Sequence, residues 1–104
     1  MAQQVYTLLV EVGRAAGDGL PEGSTGAGLV CYASGGTQDE AVRETIAVLK
    51  QADLAPLEVQ AYGTLDERLA EGHEIPDEER ALMTRALDEN AVIVAQMEPF
   101  FPGD

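Results

Sequence analysis

The chain has no tryptophan, one cysteine (Cys31), one histidine (His73) and one lysine (Lys50) among its 104 residues. A single cysteine excludes an internal disulfide and any zinc site built on several thiolates. With one histidine, every histidine-dependent proton transfer would have to run through His73. Basic side chains number six, and Arg14, Arg43, Lys50, Arg68, Arg80 and Arg85 are scattered singly, without a stripe or cluster. Nucleic-acid binding relies on Lys and Arg displacing counterions from phosphates, so nucleic acid is not an expected partner. The same shortage argues against binding to anionic lipid headgroups. The apolar run Ala91–Ala95 is far too short to cross a bilayer. The start, Met1-Ala2-Gln3-Gln4, has no basic region of the signal-peptide kind. A soluble, cytoplasmic protein is expected.

What is abundant is negative charge: 19 Asp and Glu against six Lys and Arg, a formal net charge of −13. Such a charge keeps a small protein soluble, and it also selects for a basic partner. The length fits one domain, 1–104.

Alternation predicts a first strand over Val5–Val12 and a second over Gly28–Ser34. Between them, residues 13–26 are Gly-rich and polar, which predicts a long flexible hairpin loop. Thr37 with Glu40 reads as a capping box opening a helix whose stripe is Val42, Ile46 and Leu49, ending before Pro56. Leu57–Gly63 alternates as a half-exposed third strand. Thr64 with Glu67 is a second capping box, opening a short helix that Gly72 closes. Pro76 and Asp77-Glu78-Glu79 start a third helix, and Asn90 can end it. Ala91–Met97 is apolar without alternation, as in a strand covered on both faces or central in its sheet. The order is β-β-α-β-α-α-β. It predicts an α+β two-layer sandwich, with a four-stranded mixed sheet and helices mainly on one face.

Few residues carry chemistry. Ser34-Gly35-Gly36-Thr37 lacks the lysine of a phosphate loop and is followed by Asp39 and Glu40, so it reads as a cap. The glycines of 13–26 lead into a strand rather than a helix, against a dinucleotide site. The acidic stretch Asp66–Glu79 lacks calcium-loop spacing and reads as solvated helix faces, so no metal and no cofactor are expected. His73 is the one catalytic candidate, and Cys31 sits mid-strand as a small buried hydrophobe. The aromatic and Pro-containing tail at 97–104 holds both phenylalanines, Phe100 and Phe101. They either close the chain's own core, take a small apolar ligand against the sheet, or anchor a partner or second copy.

Two stretches, Thr37-Gln38-Asp39-Glu40-Ala41 and Gly72-His73-Glu74-Ile75-Pro76, resemble segments of HicB-type antitoxin domains. That resemblance implies a small α+β unit that neutralises a basic RNase toxin. The chain departs from the pattern by the strand Leu57–Gly63 between the two segments and by its long first loop.

The leading expectation is a small acidic, non-catalytic interaction module that binds a basic protein or itself as a homo-oligomer. The alternatives are a small enzyme or enzyme subunit with a site between the 13–26 loop and His73, and a HicB-like inhibitor of a basic protein.

Overall fold

Alternating apolar residues drive the first hairpin, and the computed structural model, which describes residues 3–102, shows how far it extends. Strands β1 (Gln4–Gly13) and β2 (Gly26–Gly35) pair antiparallel over their whole length, from Gln4 opposite Gly35 to Val12 opposite Ala27. Helix α1 (Gln38–Gln51) follows, then β3 (Ala55–Thr64), α2 (Leu65–Ala70), α3 (Asp77–Asp88) and β4 (Val92–Phe100). The sheet order is β3-β1-β2-β4.

The α+β class and the element order are as expected, but two details differ. Every neighbouring pair of strands is antiparallel, so the sheet is not mixed. Strands β2 and β3 do run the same way, joined through α1, but β1 lies between them and they never pair. The helices also lie on both faces. Tyr6, Leu8, Val10 and Val12 of β1, with Leu29 and Cys31 of β2, pack under α1. The alternate residues Val5 and Tyr32 pack instead with Met83 and Ala86 of α3 and with Leu65 of α2. The period of two in β1 and β2 thus feeds two cores, one on each side.

The most buried residues of α1 are Ala41, Thr45 and Leu49, while Val42 and Ile46 are half-buried. The stripe is rotated toward its small members because the helix sits very close to β2. A Cβ on Gly35 would lie 2.9 Å from the Ala41 nitrogen and 3.0 Å from the Thr37 oxygen. Buried Thr45 satisfies its hydroxyl by donating to the Ala41 carbonyl at 2.8 Å.

Strand β4 is an edge strand with a mostly exposed or half-buried pattern, not a central one. Its apolar run misleads because Ala95 occupies an irregularity, where the register steps from Val30–Gln96 to Cys31–Val94. The strand also continues through Pro99 to Phe100, so half of the expected tail is regular structure. An edge strand accommodates a proline because one row of its N–H groups needs no partner. Positions 103 and 104 of that tail lie outside the described residues.

All three helices end in the same hydrogen-bonding motif. Asp53, Gly72 and Asn90 adopt positive φ values of 64°, 86° and 50°. In each case the following amide reaches back to a helix carbonyl: Leu54 to Leu49, His73 to Arg68 and Ala91 to Ala86.

Candidate functional site

The helices on the α3 side cover only part of that sheet face, and what they leave uncovered defines two adjoining regions. The first is a cleft of about 380 Å³ between the sheet and the segment running from α2 into α3. Thr64 fixes its geometry. This buried residue ends β3 and caps α2, accepting from the Glu67 amide at 3.1 Å while its own amide donates to Glu67 Oε1 at 3.0 Å. That reciprocal cap seats α2 on the sheet, and Arg68 reaches back so that Nη1 donates to Thr7 Oγ1 at 2.9 Å. Gly72 then reverses the chain and brings His73 beside Arg68, with Arg68 Nε donating to His73 Nδ1 at 3.4 Å. The other ring nitrogen lies 3.7 Å from Glu71. His73 keeps 43% of its side chain exposed.

Tyr32 also lines the cleft, and its hydroxyl donates to Glu79 Oε1 at 2.6 Å. Burial raises the Tyr32 hydroxyl to about 12, and the bond to Glu79 and its negative charge add to the effect against a smaller opposing pull from Arg68. Leu9, Val30 and Tyr62 supply the apolar lining.

No residue of 13–26 lines this cleft, so it is not the expected site between that loop and His73. The two lie on opposite faces: Leu20 of the loop joins the core under α1. The loop is held by Asp18, which accepts from the Ala15 amide at 2.8 Å, from Arg14 Nε at 2.9 Å and from the Leu20 amide at 3.0 Å. Those bonds, the Ala15 amide first, pull the Asp18 carboxyl down to about 2. Arg14 Nη1 also donates to the Ser24 carbonyl at 2.8 Å.

The cleft brings His73 together with Arg68, Tyr32 and Glu79 but not with Cys31 or Ser24. Cys31 is fully buried on the α1 side, where desolvation lifts its thiol to about 11. Ser24 donates to the Pro21 carbonyl at 2.6 Å within the loop.

The second region is the open half of the same sheet face. The four strands contain three charged residues, Glu11, Glu58 and Glu98. Register puts all three in one transverse row: Glu58 opposite Glu11, Glu11 opposite Gly28, Gly28 opposite Glu98. Beside it runs a parallel row of Gln60, Leu9, Val30 and Gln96. Phe100 leans its ring over Gly28, where a Cβ would come within 3.2 Å of it. Leu9, Gly28, Val30 and Phe100 thereby floor a shallow hollow of about 510 Å³. Phe100 and Phe101 are 39% and 40% exposed, and neither belongs to a core cluster.

Reasoning from the sequence named His73, Phe100 and Phe101 but missed Arg68, Tyr32 and the carboxylate row. The row was signalled by the scarcity of charge in the strands, yet only the register aligns it. Among the described residues, no helix is long and apolar enough to cross a membrane, and no group of three or more His, Cys, Asp or Glu is placed to hold a metal ion.

No curated protein and no solved structure matches the chain. One family model does, over residues 5–101, which take in the sheet, the three helices and both regions of the open face. The chain belongs to the family described as a domain of unknown function, DUF8846.

Proposed function

We propose that the protein is a non-catalytic interaction module that receives a basic protein partner on the open half of its sheet. The row Glu58–Glu11–Gly28–Glu98 carries this reading. Like charges directly opposite one another in a sheet are destabilising. Charge on β3 and β4 guards exposed edges against self-pairing, which accounts for Glu58 and Glu98. It does not account for Glu11, which lies on the interior strand β1 and directly faces Glu58. A partner's Lys or Arg side chains set over the row would remove that repulsion, and an apolar residue would settle on Leu9, Val30 and Phe100. In this reading Phe100 is an anchor and Phe101 extends it.

Self-association through this face is disfavoured, since two copies would set their carboxylate rows against each other. A HicB-like inhibitor of a basic toxin is one form the module could take. The reading places the protein in the cytoplasm, and the single buried cysteine is compatible with a reducing compartment.

The test is a nuclear magnetic resonance titration of the full chain with a short peptide of alternating Lys and Leu. Amide shifts are expected to concentrate at Glu11, Gly28, Val30, Glu98 and Phe100 and to weaken steeply with salt. Shifts spread over the acidic helix faces would overturn the reading, as would a peptide-free sedimentation experiment showing a dimer whose interface is this face.

A further inference from the structure

The geometry points to the cleft as a site for a small hydrophobic monocarboxylic acid, with Arg68 receiving the carboxylate. The chain carries 19 carboxylates, yet among the described residues none lies within ion-pairing distance of Arg68. Arg14 and Arg85 pair with Asp18 and Glu89 at 2.9 and 2.6 Å, and Arg43 and Arg80, which have no such pair among the described residues, are exposed to water as Arg68 is not. Arg68 is half-buried, and the protein groups around it are neutral: the hydroxyl of Thr7, the Nδ1 acceptor of His73 and the Tyr32 hydroxyl, on which its charge acts. They hold the guanidinium in place without neutralising it. Thr7 and His73 take two of its five N–H groups, and no carboxylate among the described residues takes another. A planar fork of this kind matches a carboxylate bidentately.

The rest of the cleft defines the ligand. Leu9, Val30 and Tyr62 provide an apolar floor and wall, and the volume of about 380 Å³ falls at the small end of ligand sites. Glu79, held on the Tyr32 hydroxyl, and Glu71, beside His73, add negative charge nearby. Together with the net charge of −13, they penalise a dianion far more than a monoanion. A phosphate ester is therefore disfavoured relative to a carboxylate. This site adjoins the acidic row, the two sharing Leu9 and Val30, and they are told apart by Thr7, Tyr32, Arg68 and His73 on one side and Glu11, Glu98 and Phe100 on the other.

The probe is phenylacetate, titrated into the full chain while amide shifts are followed, with phenylacetamide and phenyl phosphate as comparators. Saturable shifts at Thr7, Leu9, Val30, Tyr32 and His73 are expected with phenylacetate. Phenylacetamide and phenyl phosphate should each bind about tenfold more weakly or worse, the loss expected for a charge-assisted hydrogen bond. Arg68→Gln should weaken phenylacetate binding by about tenfold or more. Arg68→Lys, which keeps the charge and loses the fork, should cost severalfold and serves if the Gln variant does not fold. Absence of saturable shifts would overturn the proposal. So would equal binding of the acid and the amide, phenyl phosphate binding as tightly as phenylacetate, or unchanged affinity in both Arg68 variants.

Discussion

The amide of His73 donates to the carbonyl of Arg68 at 3.0 Å, and the same two residues meet again through their side chains at 3.4 Å. A helix terminus has thus been used to assemble part of a cleft. The residue between helix and histidine, Gly72, sits at a φ of 86°, a conformation that costs a side-chain-bearing residue about 1–2 kcal/mol.

Gly72→Ala should therefore destabilise the fold by about 1 kcal/mol and swing His73 away from Arg68. Chemical denaturation measures the first effect. The ring nitrogen shifts of His73 measure the second, because Nδ1 loses its donor. Unchanged ring shifts would mean that the cap does not position the histidine.

The 13–26 loop should unfasten in acid. The Asp18 carboxyl has an ordinary value of 3.8 and is lowered to about 2 in the folded chain. A group lowered on folding contributes stability that is present above the higher value and lost as pH falls through the lower one. The amides of Ala15 and Leu20 are thus expected to lose their protection between about pH 4 and pH 2, and Asp18→Asn should show weakened protection already at neutral pH.

Alkali should act on the other face. Tyr32 is raised from 10.0 to about 12, so its contribution is complete below pH 10 and disappears as pH rises through about 12. Ultraviolet titration should show one tyrosine ionising only near that value, together with loss of α3 packing. Tyr32→Phe should remove that step and cost about 2 kcal/mol, the worth of a hydrogen bond to a charged acceptor.

Much of this architecture is legible in the residue pattern, and the failures have identifiable causes. Thr64 with Glu67 and Gly72 both announce α2 correctly, because caps depend on side chains a few residues apart. At Thr37 the hydroxyl accepts from the Glu40 amide as expected, but the Glu40 carboxylate reaches Gly36 instead of the cap residue. The sheet is harder to read, since the pattern of β1 shows two apolar faces without saying which helix covers each. Ala91–Ala95 looks central although β4 is an edge, because one half-covered face and an irregular register hide the alternation. The candidate site depends on such long-range facts: Thr7 and Arg68 stand 61 positions apart, Tyr32 and Glu79 stand 47 apart.

Glu11 should be a liability to the free protein. It faces Glu58 directly, so Glu11→Gln is expected to stabilise the isolated chain by about 0.5 kcal/mol at low salt, with the gain shrinking as salt is added. Denaturant midpoints at two ionic strengths measure this. A loss of stability would show that Glu11 is retained for the fold itself.

The central claim is that the carboxylate row, rather than overall charge, receives a basic partner. Its most direct test is the affinity of the full chain for the Lys–Leu peptide before and after Glu11→Gln combined with Glu98→Gln. The expected result is about a tenfold loss together with a shallower salt dependence. Glu22→Gln combined with Glu44→Gln, an equal change of charge at exposed positions off that face, should cost about twofold or less. Equal losses from the two pairs would contradict the claim and leave the negative charge of this protein as a general property of its surface.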